Sequence, residues 1–234
     1  MSEVILITGV GQRIGFHLAE HLQQQGYQVI GTYRTERSSL QHLTNLGIDL
    51  FQCDFNVGDQ VQALISHVKN KSPALRGIIH NASDWLPDGT ADQALLTMHV
   101  MMHIHVAVPY QLNLALKDLL LASNSADIIH ITDYVAEKGS KKHIAYAASK
   151  AALSNMTLSF AQLLAPKVKV NNIAPALILF NEGDDEEYKL KARAKSLMNK
   201  EAGAAEMTNV VDYLLNSGYV TGRTLAVDGG RHLK

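Results

Sequence analysis

The amino-acid sequence predicts a single α/β domain, a doubly wound parallel sheet of about seven strands flanked by helices. Three observations lead there. Short apolar runs alternate with longer amphipathic stretches from one end of the chain to the other. The short runs are continuously apolar, as strands buried on both faces are. Strict β–α alternation joined by right-handed crossovers then leaves a parallel sheet covered on both sides.

Val4–Thr8 (VILIT) is the first run, and a glycine loop leads from it into a helical pattern through Ile14, Leu18, Ala19 and Leu22. Gly26 ends that helix, and Gln28–Tyr33 reads as the second strand. A helix near Arg37–Leu46 precedes strand three, Ile48–Cys53, and one near Gly58–Asn70 precedes strand four, Gly77–Asn81. A long helical region over Ala91–Leu121 leads to strand five, Asp127–Thr132. Ile144–Leu164 is a helix, Val168–Ile173 the sixth strand, Thr208–Asn216 a helix and Thr224–Val227 the last strand. No linker, repeat or low-complexity segment divides residues 1–234. The charged stretch 181–205 is the one compositional break. It reads either as a substrate-loop insert over the C-terminal edge of the sheet, where ligands bind in such folds, or as a solvated surface helix.

Composition narrows the function classes. Of 234 residues 47% are apolar and 18% charged, a globular balance. The net charge of −1 leaves no electrostatic footprint for nucleic acid. The single cysteine, Cys53, cannot form an intrachain disulfide and points to a reducing compartment. No apolar run reaches the ~18 residues a membrane span needs. The start MSEVILITGVG, with Glu3 just before a glycine loop, lacks the pattern of a secretory signal. The expectation is a cytoplasmic protein with neither nucleic acid nor membrane as a partner.

The loop Thr8-Gly9-Val10-Gly11-Gln12-Arg13-Ile14-Gly15 joins a strand to a helix. Glycines permit the tight turn and let a pyrophosphate approach the backbone, and the helix N-terminus offers amide donors. A glycine triplet alone is weak, but in this context it marks the dinucleotide site of a Rossmann-type sheet. No Gly-Lys-Ser/Thr follows, so it is no phosphate loop of the nucleotide-hydrolase kind. The end of strand two chooses the cofactor, an acid favouring NAD and an arginine NADP. Here stand Tyr33-Arg34-Thr35, with Arg13 as a second cation, and these favour NADPH. Glu36 could do the work of NAD's acid if the strand ended two residues later.

Tyr146 and Lys150 are spaced to share one face of a helix, one turn apart. A tyrosine is a poor proton donor near neutral pH, and an ammonium one turn away would lower its pKa. With TGVGQRIG and YAASK, the sequence also has Asp54 after strand three, His80-Asn81-Ala82-Ser83 after strand four and Pro175 after strand six. Thr221-Gly222 and Val227-Asp228-Gly229-Gly230 lie near the C-terminus. Together these resemble the short-chain dehydrogenase/reductase family over nearly the whole chain. The resemblance implies cofactor contacts from Gly9, Gly11, Arg13, Ile14 and Gly15, and from Tyr33, Arg34 and Thr35. It assigns Asp54 to the adenine, and Asn81, Ala82, Ser83, Thr132 and Pro175 to the cofactor's flank. It makes Tyr146 the acid, and Lys150 the holder of the nicotinamide ribose.

Four departures stand out, and the first redirects the chemistry. The family's usual serine, thirteen residues before the tyrosine, is Asp133, and its usual asparagine on the long helix is His105. Arg13 stands where a small residue is common, and Ala176 replaces the glycine that normally follows Pro175. A carboxylate repels a developing oxyanion, so Asp133 argues against simple ketone reduction. It suits a cyclic amidine with N–H donors, or a substrate that takes a proton on nitrogen. With Trp85 after Asn81-Ala82-Ser83-Asp84, the pattern resembles the pteridine reductase branch. That implies catalysis by Tyr146, Lys150 and Asp133, and a dihydropterin bound by Ser83, Trp85, Asp133 and Tyr146. Trp85 would cover the ring, an apt use of an indole face; the competing reading is a core tryptophan. Ser83 would bond either the pterin or a cofactor phosphate. The same resemblance implies a homotetramer, or a homodimer, built on the two long helices, with dihydrofolate as a weaker substrate.

His99, His103 and His105 sit in an apolar helix with no cysteine or carboxylate near in sequence to complete a shell, so no metal site is expected. His80 and His130 fall on buried strands. Asp184–Glu187 reads as a solvated acidic turn or a helix N-terminal charge cluster. Leu177–Phe180 and Leu197-Met198 are either substrate-loop contacts or core. Two other functions stay open at this point, a ketone or acyl-thioester reductase and a non-catalytic NADPH-binding sensor.

Overall fold

The computed structural model describes residues 3–234; the first two residues of the expected domain lie outside the described residues. Seven strands form one sheet: β1 (Val4–Ile7), β2 (Gln28–Tyr33), β3 (Asp49–Gln52), β4 (Gly77–His80), β5 (Ala126–Ile131), β6 (Val168–Pro175) and β7 (Thr224–Val227). All pairings are parallel and the order is β3-β2-β1-β4-β5-β6-β7. The winding direction reverses between β1 and β4, which opens a crevice at the C-terminal ends of those strands.

Alternate residues of the inner strands feed two separate cores, which is why those strands read as unbroken apolar runs. Ile5, Ile7, Ile79 and Ile129 point to one face. There they meet α1 (Arg13–Gln24), α2 (Ser39–Asn45) and α10 (Ala204–Asn216) through Leu18, Leu22, Leu43 and Val211. Leu6, Ile78 and Ile128 point to the other. They pack on Leu64 and Val68 of α3 (Gly58–Lys71) and on Phe160 and Leu164 of α8 (Ile144–Leu164). Each such side chain is worth about 1.5–3 kcal/mol on burial.

The long helix expected over Ala91–Leu121 is broken. It comprises α4 (Ala91–Met102), a π-helical turn (His103–Ala107), α5 (Val108–Ala115) and α6 (Lys117–Leu121). Pro109 supplies the reason. It has no N–H to offer the His105 carbonyl, and its ring would crowd that oxygen in a regular helix. The chain answers with one wide turn, in which Val108 N–H bonds back to the His103 carbonyl.

The short α7 (Val135–Lys138) after β5 was not expected. Before α10 begins at Ala204, the helix of the charged stretch is α9 (Glu186–Arg193), where Asp185 caps Tyr188 N–H at 2.7 Å and Glu186 and Glu187 occupy the first turn. The acidic run is therefore a helix N-terminal cluster.

At the opposite end of the sheet from the crevice, Arg76, Asp127 and Lys169 form a buried ionic cluster. Arg76 Nη1 lies 2.5 Å and Lys169 Nζ 2.8 Å from the Asp127 carboxylate. Arg76 also donates to the Leu215 carbonyl, tying the sheet to α10.

Candidate functional site

The glycine loop is held by side chains from three strands. Thr8 Oγ1 accepts the amides of Asn81 and Ala82 at 3.0 Å each. Asn81 Nδ2 donates to the carbonyls of Thr8 and Gly9 at 3.0 and 2.9 Å. Gly9 N–H donates to Thr32 Oγ1. Gly9 has φ +75, and a Cβ there would lie 2.9 Å from Ala82 Cα. At Gly15 a Cβ would lie 2.1 Å from the Gly9 carbonyl oxygen. The N-terminus of α1 has no side-chain cap and no acid in its first turn, so its amides face the crevice without an internal acceptor. An anionic diphosphate fits this cradle.

Beside the loop, the end of β2 presents Tyr33, Arg34 and Thr35 to the same crevice. Arg34 is not a free cation. It forms a two-pronged pair with Asp84, Nη1–Oδ2 2.8 Å and Nη2–Oδ1 3.1 Å. Glu36 accepts the Tyr33 hydroxyl at 2.8 Å, which engages the acid that could have served NAD. Arg13, at φ 53, donates to the Leu179 carbonyl at 2.9 Å and pins the loop to the segment before α9. Asp54 accepts from Asn56 on one oxygen.

At the far end of the crevice, Asp133 follows β5 and faces α8. Tyr146 Oη donates to Asp133 Oδ2 at 2.9 Å, and Val135 N–H donates to Oδ1 at 3.0 Å. Lys150 Nζ donates to the Ile131 carbonyl at 2.9 Å and lies 5.6 Å from the Tyr146 ring centre. The expectation that Lys150 would lower the pKa of Tyr146 is corrected here. Burial and the adjacent Asp133 carboxylate push the phenol well up instead. Burial also raises the Asp133 carboxyl above its ordinary range and brings the Lys150 ammonium down to about 8.

Trp85 is 63% exposed, so the core reading fails; its indole stacks on His143 with ring centres 4.0 Å apart. Ser83 Oγ lies 2.8 Å from Nε2 of His105, which is buried. Thr132 Oγ1 bonds Asn172 and the Ile173 carbonyl, and Pro175 closes the wall at the end of β6. His80 and His130 are buried and linked through Asn113, away from the crevice. His103 is taken by the Phe55 carbonyl.

Every residue expected at the site, from Gly9 to Pro175, borders one cleft of about 420 Å³. Sequence reasoning missed Arg37, Asp84 and Ile104 on its walls. It also missed Asp88, whose carboxylate accepts the first amides of α8 from Ile144 and Ala145 at 2.6 and 3.2 Å. An aspartate before a helix is an N-cap signal only when it adjoins the helix in sequence, and Asp88 does not.

Comparison with known proteins agrees with this architecture. The profile of a family described as enoyl-(acyl carrier protein) reductase matches residues 9–232. The chain belongs to the short-chain dehydrogenase/reductase family. Among its relatives there, the dihydromonapterin reductases of Citrobacter koseri and Escherichia coli K12 are each 53% identical over 232 residues. That is 98% of this chain and 97% of theirs. The crystal structure of FolM alternative dihydrofolate reductase 1 from Brucella suis, in complex with NADP, superposes with TM-score 0.90 at 25% identity. It spans 99% of this chain and 96% of that one.

Proposed function

We propose that the protein is an NADPH-dependent dihydropterin reductase that converts 7,8-dihydromonapterin to tetrahydromonapterin, with dihydrofolate as a slower substrate. The observation that carries this reading is the Asp133–Tyr146 hydrogen bond at the end of a cleft roofed by an exposed indole. The two relatives named as dihydromonapterin reductases support it over the full chain.

When bound, NADPH supplies a hydride to C6 of the pterin C6=N5 bond. The protein supplies position and a proton. The glycine loop and the α1 N-terminus hold the diphosphate, Asp54 the adenine, and Asn81, Ala82, Thr132 and Pro175 the cofactor's flank. Arg34 and Thr35 take the 2′-phosphate. The half-exposed Arg34–Asp84 pair contributes at most about 1 kcal/mol, so a phosphate dianion displaces Asp84 readily. Lys150 holds the nicotinamide ribose, and Trp85 covers the pterin ring. Tyr146 gives its proton to N5 and regains one from the Asp133 carboxyl, which burial raises above its ordinary range. Solvent then reprotonates Asp133.

Residues 181–205 serve as the substrate loop. The exposed leucines of α4 and α8, among them Leu95, Leu96, Leu158 and Leu163, support subunit contacts in a homotetramer or homodimer. The lone cysteine, buried and free, fits the cytoplasm. No helix among the described residues is long and apolar enough to cross a membrane.

The test is NADPH consumption by the purified protein with 7,8-dihydromonapterin, dihydrofolate and an acetoacetyl thioester in parallel. Preference for the dihydropterin supports the reading. Turnover of the thioester alone makes the protein a ketone reductase, and tight NADPH binding without turnover makes it a sensor.

Two further outcomes follow from the cleft. Gly15→Ala forces a methyl group into the Gly9 carbonyl, so NADPH affinity measured by calorimetry drops on the order of tenfold or more, with about 1–3 kcal/mol of stability lost to overpacking. Above about pH 8, Lys150 loses its charge first because burial has lowered its pKa. The pH profile of kcat/KM therefore falls on that side, and this limb is absent from the residual activity of Lys150→Met, which keeps only the decline linked to Asp133.

A further inference from the structure

We infer that His105 fixes the Ser83 hydroxyl as a hydrogen-bond acceptor at the reacting end of the cleft, so that the site selects a substrate presenting an N–H donor there. The inference deepens the dihydropterin reading and rests on it.

Ser149 Oγ lies 2.7 Å from the Tyr146 carbonyl, which can only accept, so the one hydroxyl hydrogen of Ser149 points there. His105 Nδ1 lies 2.8 Å from the same Oγ, whose hydrogen is already used. Nδ1 must therefore carry a hydrogen and donate. The ring is neutral, being buried and close to the Lys150 ammonium, which holds its pKa far down. In a neutral imidazole the other nitrogen is a bare acceptor. Ser83 Oγ, 2.8 Å from Nε2, must then donate to it. Its longer contact to the Asp84 carbonyl, at 3.3 Å, competes weakly.

Ser83 is thereby left with its lone pairs on the cleft side, next to the Tyr146 hydroxyl. Beside it, Tyr146 spends its hydroxyl hydrogen on Asp133. A ligand arriving here meets Ser83 as an acceptor beside Tyr146, the proton donor to N5. A pterin, with its amino group and ring N–H groups, supplies donors; a simple ketone supplies none. A cofactor phosphate only accepts, so Ser83 in this orientation serves the substrate and not the phosphate. The π-helical turn makes the arrangement possible by placing His105 between α8 and the loop that carries Ser83. His105 touches neither ligand and is a positioning residue.

The experiment has two arms. Nitrogen NMR of isotope-labelled histidine in the free wild-type protein reads the His105 tautomer, assigned with His105→Gln. The Nδ1–H form is expected, unchanged across the neutral range. An Nε2–H ring or an imidazolium overturns the inference whatever the substrate proves to be. In the kinetic arm, His105→Phe raises KM for dihydromonapterin about tenfold, with kcat and NADPH affinity little changed. His105→Gln, whose amide can both donate to Ser149 and accept from Ser83, restores most of the KM. In a Ser83→Ala background His105→Phe adds nothing further. Additive losses, or equal losses with Gln and Phe, reduce His105 to packing and overturn the inference. A wild-type protein that turns over no dihydropterin overturns the reductase reading, and with it the substrate half of the inference, before any variant is compared.

Discussion

Replacing Tyr146 by Phe is expected to lower kcat for dihydropterin reduction by a factor on the order of 10²–10⁴, the range that a positioned general acid supplies. The substitution removes one oxygen and leaves the ring, which packs edge-on to His105 at 5.4 Å. The fold and NADPH affinity should therefore survive, and calorimetry with NADPH is the control. Asp133→Ala should fall nearly as far, because it removes the group that returns the proton. The double variant should be little worse than either alone, since residues that act as a unit lose their function together. Asp133→Asn separates shape from charge. It keeps a partner for the Tyr146 hydroxyl but holds no exchangeable acid, so the decline in rate as pH rises through the raised carboxyl pKa should vanish. The direction follows from the shift: burial raises the Asp133 pKa, so its protonated form persists to higher pH and is lost as pH rises through that value.

The largest stability effect is expected far from the cleft. Asp127→Ala leaves Arg76 and Lys169 facing each other, with the Arg76 side chain 6% exposed and only the half-exposed Glu3 carboxylate, 3.8 Å away, still beside it. Breaking a buried ionic cluster from one side costs about 3–5 kcal/mol. For a chain of this length that corresponds to a fall in Tm of roughly 6–20 °C. Replacing all three residues by apolar ones of similar size should recover most of the loss, because it also removes the desolvated charges. Calorimetric unfolding of both variants checks the pair of outcomes. A loss below about 1 kcal/mol for Asp127→Ala would mean that the cluster is effectively solvated.

The fold was legible because the central strands β1, β4, β5 and β6 are buried on both faces and read as apolar runs. β2, α8 and β7 match the expected bounds, and the other strands differ at their ends, where pairing and not composition decides. The break at Pro109 was readable in principle: a proline inside a helical pattern signals it, but the apolar run around it hid the signal. At the site, local motifs were enough to name its walls, since the glycine loop and the C-terminal strand ends converge on one crevice. What sequence could not show was pairing between distant positions. Arg34 with Asp84, Asp88 on α8, and the chain Ser149–His105–Ser83 are tertiary contacts without a local pattern. The direction of the Tyr146 shift escaped for the same reason. Spacing places Lys150 one turn away but says nothing of burial, or of a carboxylate 2.9 Å from the hydroxyl.

The central claim is that this cleft delivers a hydride to a pterin carbon and a proton to the adjacent nitrogen. The most direct measurement uses NADPH deuterated at the transferable position of C4, with 7,8-dihydromonapterin as acceptor and mass and NMR analysis of the product. The account predicts one deuterium at C6 of the tetrahydropterin and none at N5, where the hydrogen comes from solvent by way of Tyr146. An unlabelled pterin, or deuterium at a ring carbon other than C6, would contradict it.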